Sequence, residues 1–237
     1  YRPLTPGCIQ VEPNNIEAVR EAAGEHTAAI MIELIQGESG VHPMDKDYVK
    51  ALRKLCDEKD IILIFDEVQT GMGRTGYWFA HQMYGVEPDI FTSAKALGGG
   101  VPIGAVCAKD FVAKSFAPGD HGSTFGGNPL ATAAGCAVFD IIEKDKLLDN
   151  AKEMSEYFMH KLKEIKSDKI KDLRNAGLLI GIELAPDCAK DIYNKLFEKR
   201  YLTSLCTNTL RLAPALIITK EDIDGFVAAF ADCLGKE

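Results

Sequence analysis

The residues of this sequence that could carry chemistry stand just after short apolar runs. Asp66 follows the run Ile61–Phe65, and Lys95 lies two residues beyond the run Asp89–Ser93. Short, continuously apolar runs are typical of buried strands in a parallel sheet. Because ligands bind outside the carboxyl ends of such strands, the carboxylate and the amine are expected to face the same crevice.

An amine and a carboxylate at one crevice are the pair that pyridoxal phosphate (PLP) chemistry requires. The amine forms an imine with the cofactor, and the carboxylate keeps the pyridine nitrogen protonated so that the ring accepts electrons. Simpler interpretations stay open, since a lone lysine after a strand is usually solvated and a lone aspartate there usually caps a helix or turn. The run Gly98–Gly100 matches neither of the common phosphate-binding glycine motifs.

The elements that must position these residues alternate between strand and helix. Asp45 opens an amphipathic helix between the first two apolar strands, and this alternation predicts an α/β fold with a parallel sheet covered by helices. The dipeptide Asn128-Pro129 starts a long helix with an apolar stripe. The predicted strands of this region are Ala28–Glu33, Ile61–Phe65, Asp89–Ser93 and Ile103–Ala108, and the stripe consists of Leu130, Ala133, Ala134, Ala137, Val138 and Ile141.

The pattern changes near residue 147, which divides the chain into a large domain (residues 1–146) and a small α+β domain (residues 147–237). A Lys/Glu-rich amphipathic helix with Met154 and Phe158 opens the second domain. Strands are predicted at Leu178–Leu184 and near Leu210–Ala213, and Thr219 caps the last helix.

Composition excludes several classes of partner. The net charge is −8 with acidic residues spread along the chain, so no nucleic-acid partner is expected. No apolar stretch has the roughly 20 residues that a membrane-spanning helix needs. The seven cysteines are scattered without a C-x-x-C pair, which favours a reduced, cytoplasmic protein over a disulfide framework or a metal site.

Four longer motifs resemble those of the class III (ω-amino acid) PLP-dependent aminotransferases, and the resemblance runs along nearly the whole chain. It implies the type I PLP-dependent transferase fold, with the C-terminal part of the large parallel-sheet domain followed by the small domain. The motifs are ELIQGESGV at Glu33–Val41, FDEVQTGMGRTG at Phe65–Gly76, AKALGGGVPIGA at Ala94–Ala105 and HGSTFGGNPLA at His121–Ala131.

The resemblance implies a role for each matching residue at the cofactor. Lys95 matches the lysine that holds PLP and later moves the substrate proton, and Asp66 matches the partner of the pyridinium nitrogen. Val68 matches the apolar residue that packs on the ring face, and Gln69 matches the donor to the phenolate oxygen of the ring. Glu67 lies between these residues and is expected to support them structurally.

Three further matches concern the partner subunit and the substrate. Thr124 resembles the threonine that reaches the phosphate of the other subunit's cofactor, which implies a homodimer with shared active sites. Arg211 matches the arginine that binds a substrate carboxylate, a task suited to its rigid fork of donors. Glu38 matches the glutamate that pairs with that arginine when the substrate offers no carboxylate there.

The resemblance implies transfer of an amino group to 2-oxoglutarate, with N-acetyl-L-ornithine as the expected donor, which belongs to arginine biosynthesis. Ornithine, succinylornithine and 4-aminobutyrate are alternative donors, an aminomutase or racemase keeps the cofactor without the transfer, and a non-catalytic dimerisation or binding module is the alternative of another class. The chain begins at Tyr1 rather than Met, and the family has a long segment before the matching residue. We therefore expect the chain to be the C-terminal part of a longer enzyme that needs the missing part for activity.

Overall fold

The computed structural model describes residues 3–235. The helices of this part of the chain are α1 (Ile16–Ala22), α2 (Lys46–Lys59), α3 (Ala80–Tyr84), α4 (Asp110–Ala113), α5 (Pro129–Lys144), α6 (Leu147–Glu164), α7 (Ala189–Glu198) and α8 (Lys220–Leu234), with a 3₁₀ turn at Lys95–Gly98. The strands are β1 (Ala29–Ile32), β2 (Ile35–Gln36), β3 (His42–Pro43), β4 (Ile62–Asp66), β5 (Ile90–Ser93), β6 (Ala105–Ala108), β7 (Ile170–Ala176), β8 (Leu179–Leu184), β9 (Ser204–Cys206) and β10 (Thr209–Leu212).

The first sheet has the strand order β1-β4-β5-β6. Strands β1, β4 and β5 are parallel, which confirms the prediction from the apolar runs. Strand β6 begins two residues later than predicted and runs antiparallel to β5, so the parallel sheet has one antiparallel edge strand. The glycine-rich connection between β5 and β6 contains a single 3₁₀ turn, and a parallel return would need a longer crossover, usually a helix.

Helices α1, α2 and α3 pack on one face of the first sheet. Leu63 and Phe65 of β4 point into this layer and are fully buried against Leu52 and Leu55 of α2. Since side chains alternate along a strand, Asp66 points to the opposite face. Within residues 3–235 that face is open, and Met31 of β1 is exposed on it.

The second sheet is antiparallel, with the order β7-β8-β10-β9, and its core lies against α6, α7 and α8. The helix predicted from Met154 and Phe158 is α6, and both side chains are buried. Thr219 caps α8 as predicted, because its hydroxyl accepts the Asp222 N–H while the Asp222 carboxylate accepts the Thr219 N–H. The division into a large domain and a small domain between residues 146 and 147 stays a prediction. Leu179 of β8, in the second sheet, packs into the core of the first sheet.

Helix α5 starts at the predicted Asn128-Pro129, but the predicted apolar stripe is not its buried face. Leu130 is 74% exposed, whereas Ala131 and Gly135 are buried. The inward-facing residues of α5 also include Ile142, which is buried, and Val138, which packs near Leu97 and Gly99 of the 3₁₀ turn after β5. The buried face is therefore rotated away from Leu130 and Ile141, which are both exposed.

A buried ion cluster centred on Asp89 lies at the edge of the first sheet opposite to Asp66 and joins the strands to α2. Asp89 accepts hydrogen bonds from the Leu63 N–H at 2.9 Å, Arg53 at 2.8 Å and Lys109 at 3.1 Å. Burial alone would raise the pKa of Asp89, but these three donors together hold it below its ordinary value. The carboxylate therefore contributes stability at neutral pH, and this contribution disappears as the pH falls through the unfolded and then the folded pKa.

We expect Asp89→Asn to lower the free energy of unfolding at neutral pH by about 2–4 kcal/mol, because two partly buried cations lose their anion. The deficit should shrink as the pH falls, since the wild type then loses the same charge. Urea unfolding at several pH values measures both effects. The control is Asp57→Asn, which removes the exposed partner of Arg53 and should change stability by less than about 1 kcal/mol. A deficit that does not change with pH would contradict the assignment.

Candidate active site

Asp66 ends β4 at the carboxyl edge of the first sheet. Its Oδ1 accepts hydrogen bonds from the Val68 N–H at 2.9 Å and from the Thr92 hydroxyl at 3.3 Å. These two donors from residues 3–235 bond to the same carboxylate oxygen. The arrangement fixes the carboxylate in one orientation and leaves Oδ2 for a further donor.

Lys95 begins the 3₁₀ turn directly after β5, and its backbone is strained. Its φ is +49°, a left-handed conformation that is uncommon for residues with a side chain. The hydrogen bonds Leu97 N–H to Ala94 O, at 3.0 Å, and Gly99 N–H to Ala96 O, at 3.1 Å, hold the turn. Strained residues of this kind cluster at functional sites, so the conformation supports a functional role for the exposed lysine.

The ends of three strands meet at this edge. The parallel pairing of β4 and β5 places Asp66 beside Thr92, three residues before Lys95, which confirms the predicted common edge. Glu33 follows β1, and its pKa is raised by partial desolvation and by the neighbouring Asp66, while Lys95 acts in the opposite direction. The sequence analysis assigned no role to Glu33. Its position at the carboxyl end of β1, which is parallel to β4 and β5, was the feature that indicated a place at the same edge.

Glu67 is buried beneath the edge and supports the segment after β4. Its carboxylate accepts the Ala80 N–H at 2.9 Å and the His81 N–H at 2.7 Å, and it also contacts the Thr70 hydroxyl. A carboxylate at the first turn of a helix satisfies backbone donors that have no partner inside the helix. Glu67 therefore ties the start of α3 to the segment that carries Asp66.

Glu38 and Arg211 come from distant parts of the chain and form an ion pair of 2.7 Å. The Arg211 side chain is 16% exposed and the Glu38 side chain is 73% exposed, so the carboxylate lies over the guanidinium from the solvent side. The hydrogen bond from Arg211, followed by one from Gln69, lowers the pKa of Glu38 below its ordinary value. Lys95 has a smaller effect in the same direction.

Gln69 joins the Glu38–Arg211 pair. Its Nε2 donates to Glu38 Oε1 at 3.0 Å, and its Oε1 accepts from Arg211 at 3.5 Å. The amide lies directly on Gly37, where an added Cβ would fall 1.5 Å from Gln69 Oε1, so no other residue fits at position 37 in this arrangement.

A second contact fixes the strand of Arg211 to the segment after β4. Arg74 is half-buried, and its guanidinium donates to the carbonyl oxygens of Pro214, just after β10, and Leu178, just before β8. The Leu178 N–H donates in return to the Arg74 carbonyl at 2.9 Å. Burial lowers the pKa of Arg74 from its ordinary value. These contacts hold the second sheet, and with it Arg211, against the segment that carries Asp66.

The remaining two predicted residues lie in different surroundings. Val68 is half-buried beside Asp66, to which its N–H donates. Thr124 lies in an exposed segment between α4 and α5, and the described contacts do not join it to Asp66, Lys95 or Arg211. Six of the seven predicted residues therefore gather at one edge, namely Glu38, Asp66, Val68, Gln69, Lys95 and Arg211.

Comparison with protein families matches residues 7–234 to the family "Aminotransferase class-III". The chain belongs to this family, whose members depend on PLP. Its relatives include the acetylornithine aminotransferase of Methanocaldococcus jannaschii, 53% identical over 97% of this chain and 58% of that protein. The acetylornithine aminotransferase of Aquifex aeolicus is 48% identical over 99% of this chain and 61% of that protein.

Solved structures agree with the family. The acetylornithine aminotransferase of Elizabethkingia anophelis is similar with a TM-score of 0.91 at 36% identity, over 98% of this chain and 60% of that one. The ornithine aminotransferase of Toxoplasma gondii is similar with a TM-score of 0.93 at 35% identity, over 98% of this chain and 57% of that one. The fold is therefore that of the type I PLP-dependent transferases, and the chain spans about three-fifths of the length of these relatives.

The residues at the edge fit PLP, the cofactor of the family. Lys95 offers an amine on an exposed turn, and Asp66 Oδ2 offers an anion to a ring N–H while Oδ1 is held from within the chain. Arg211 offers a cation whose guanidinium is paired with the exposed Glu38 carboxylate. No group of His, Cys, Asp and Glu residues suited to a metal ion occurs in residues 3–235, and no helix there is long and apolar enough to cross a membrane.

Borohydride reduction of the full-length protein loaded with PLP should attach the cofactor covalently to Lys95, because this amine stands at the edge beside Asp66. Peptide mass spectrometry locates the label, and Lys95→Ala should remove it. Lys109 is the internal control, since its amine is held by Asp89 at 3.1 Å. Label found on Lys109 in the wild type would contradict the assignment.

Proposed function

We propose that the protein transfers the terminal amino group of N-acetyl-L-ornithine to 2-oxoglutarate, an activity of arginine biosynthesis. Family membership supports amino-group transfer between small molecules. Identities of 47–53% to acetylornithine aminotransferases support this donor. The observation that carries the proposal is the Glu38–Arg211 pair beside the edge that bears Asp66 and Lys95.

PLP, when bound, supplies an electron sink for the bond between the reacting carbon and its hydrogen. The chain's residues then have distinct tasks. Asp66 Oδ2 keeps a proton at the ring nitrogen, and Lys95 Nζ moves the proton to and from the reacting carbon. Val68 would pack on the face of the ring, and Gln69 would donate a hydrogen bond to its phenolate oxygen.

The complete site is proposed to lie at a homodimer interface. Thr124 then reaches the phosphate of the partner's cofactor, and this role is supported by its exposed position in a turn of the HGSTFGG motif. A cytoplasmic location is part of the proposal and is supported by the seven cysteines, all of which are free.

Two substrates of different charge pattern must use one site. Acetylornithine offers its terminal amine, with no carboxylate near Arg211, whereas 2-oxoglutarate offers a carboxylate there. A mostly buried guanidinium that faces no anion is unfavourable, so Glu38 covers Arg211 in the first half-reaction and yields to the substrate in the second. The lowered pKa of Glu38 keeps this cover charged in neutral and mildly acidic solution.

Ornithine is the second candidate donor, because solved ornithine aminotransferases have TM-scores of 0.89–0.93 to this chain. Their identities of 35–36% equal the 36% of the solved acetylornithine aminotransferase, so the solved structures do not favour either donor. The acetylornithine aminotransferases of Methanocaldococcus jannaschii and Aquifex aeolicus, at 53% and 48% identity, favour acetylornithine. Succinylornithine and 4-aminobutyrate remain variants of the same proposal. A non-catalytic module would form no imine at Lys95, and an aminomutase or racemase would form no glutamate from 2-oxoglutarate.

We expect Arg211→Ala to weaken the 2-oxoglutarate half-reaction by about 2–5 kcal/mol, because the substrate carboxylate loses its buried cation. The half-reaction with acetylornithine should change much less. Glu38→Gln should have the opposite preference and improve glutamate relative to acetylornithine. Stopped-flow absorbance of the PLP-loaded full-length protein follows each half-reaction separately, with acetylornithine, ornithine and 4-aminobutyrate compared as donors.

The control for these variants is Arg20→Ala, which removes a half-exposed arginine of α1 that pairs with Glu17 and Glu58. It should leave both half-reactions unchanged. Equal losses in both half-reactions for Arg211→Ala and Glu38→Gln would mean that the pair is structural. Absence of any transfer to 2-oxoglutarate by the wild type would refute the proposed function itself.

A further inference from the structure

Two arginines flank a glycine across three adjacent strands of the second sheet. Arg174 of β7 pairs in register with Gly181 of β8, and Gly181 pairs in register with Arg211 of β10. Residues directly opposite each other on neighbouring strands project from the same face. The two arginine side chains therefore rise from one face of the sheet, roughly 10 Å apart, with no side chain between them.

The gap above Gly181 is filled by the loop that carries Glu38, residues 37–41, hereafter the Glu38 loop. A Cβ atom added at Gly181 would lie 2.7 Å from the Gly40 carbonyl oxygen and 3.2 Å from the Val41 Cβ. These distances are too short for a side chain at position 181. The loop therefore lies on the bare backbone of β8, between the two arginines.

Arg174 grips this loop by its backbone. Its Nε donates to the Val41 carbonyl at 3.2 Å, and the same guanidinium donates to the Gly40 carbonyl at 3.1 Å and to the Thr209 hydroxyl at 3.4 Å. Arg211, on the other side, binds the Glu38 carboxylate. Arg174 therefore binds the backbone of the Glu38 loop, and Arg211 binds the Glu38 side chain.

The hydrogen bonds from Arg174 reach a strained stretch of backbone. Val41 has a φ of +62°, a left-handed conformation that is a genuine outlier for a β-branched residue. Such a conformation persists where the surrounding contacts over-determine it. The hydrogen bond from Arg174 to the Val41 carbonyl is one of these contacts, so its loss should release the loop.

Two carboxylates aim the Arg174 side chain. Glu183 lies 2.6 Å and Asp172 2.7 Å from the same guanidinium nitrogen, which leaves the other two nitrogens to the loop. Burial acts to lower the pKa of Arg174, but the two carboxylates raise it above its ordinary value, so the side chain stays a cation. The donors that hold the loop are thus present at any pH at which the protein works.

We propose that Arg174 is a positioning residue for substrate choice: it holds the Glu38 loop on the second sheet so that Glu38 covers Arg211. The inference rests on the proposed function, in which this cover separates the two half-reactions. Arg174 touches neither substrate nor cofactor and acts through Glu38. A purely structural Arg174 would stabilise β7 and β8 without changing the preference between substrates.

The test compares Arg174→Met with Arg53→Met in the full-length, PLP-loaded protein. The two arginines are matched, with 17% and 18% of the side chain exposed and two carboxylate partners each, but Arg53 lies on α2, away from the loop. For Arg174→Met we expect the ratio of glutamate to acetylornithine half-reaction rates to rise about 2- to 150-fold, the range for neighbouring residues that interact. Arg53→Met should leave this ratio unchanged.

A double-mutant cycle shows whether Arg174 acts through Glu38. In a Glu38→Gln background, Arg174→Met should shift the ratio no further, because the cover is already lost. An equal shift in both backgrounds overturns the proposal, and so does an unchanged ratio in folded Arg174→Met. Gly181→Ala tests the same docking without touching Arg174, since its methyl group displaces the loop, and it should shift the ratio in the same direction.

Hydrogen exchange separates failure of this inference from failure of the proposed function. Arg174→Met should accelerate amide exchange in the Glu38 loop about tenfold or more, as expected when a local contact is released. Arg53→Met should not. If the wild type proves inactive toward 2-oxoglutarate but exchange responds as stated, the function is refuted and the anchoring role of Arg174 stands. If exchange in the loop does not respond, the anchoring role is refuted whatever the activity.

Discussion

A mostly buried guanidinium needs an anion, and the organisation of this site follows from how Arg211 obtains one. In the structure the anion is Glu38, which reaches Arg211 at 2.7 Å from a loop on the solvent side. Burying a cation without a partner is strongly unfavourable, and in the proposed function the pair holds until a substrate carboxylate replaces Glu38. The proposed use of two substrates with different charge patterns depends on this exchange.

The two sheets divide the work of the site. The parallel strands of the first sheet bring Asp66 and Lys95 to one edge, where Asp66 is fixed through Oδ1 and Lys95 is held in a strained turn. The second sheet contributes Arg211, and Arg74 ties the two parts together through the Leu178 and Pro214 carbonyls, which lie at the same end of the β8–β10 pair. Because the residues proposed to hold the cofactor and the arginine proposed to bind a substrate carboxylate belong to different sheets, the contacts between the sheets set the geometry of the site.

Local patterns in the sequence were sufficient for part of this picture. Short apolar strands followed by Asp66 and Lys95 predicted the common edge, because parallel strands end on the same side of a sheet. Contacts between distant segments left no local signal. The predicted apolar stripe of α5 does not match its buried face, because α5 packs on the 3₁₀ turn after β5 through Ala131, Gly135 and Ile142, a contact between segments distant in sequence. Arg174 could not be singled out either, since its partners at residues 40 and 41 are backbone carbonyls, which carry no side-chain signature.

The most direct test of the account is a crystal structure of the full-length, PLP-loaded protein with 2-oxoglutarate bound. The account predicts that a carboxylate of 2-oxoglutarate contacts the Arg211 guanidinium while the Glu38 side chain turns away, so that the present 2.7 Å contact is broken. It also predicts that Gln69 no longer donates to Glu38. A structure in which 2-oxoglutarate occupies the site while the Glu38–Arg211 pair stays intact would contradict the account.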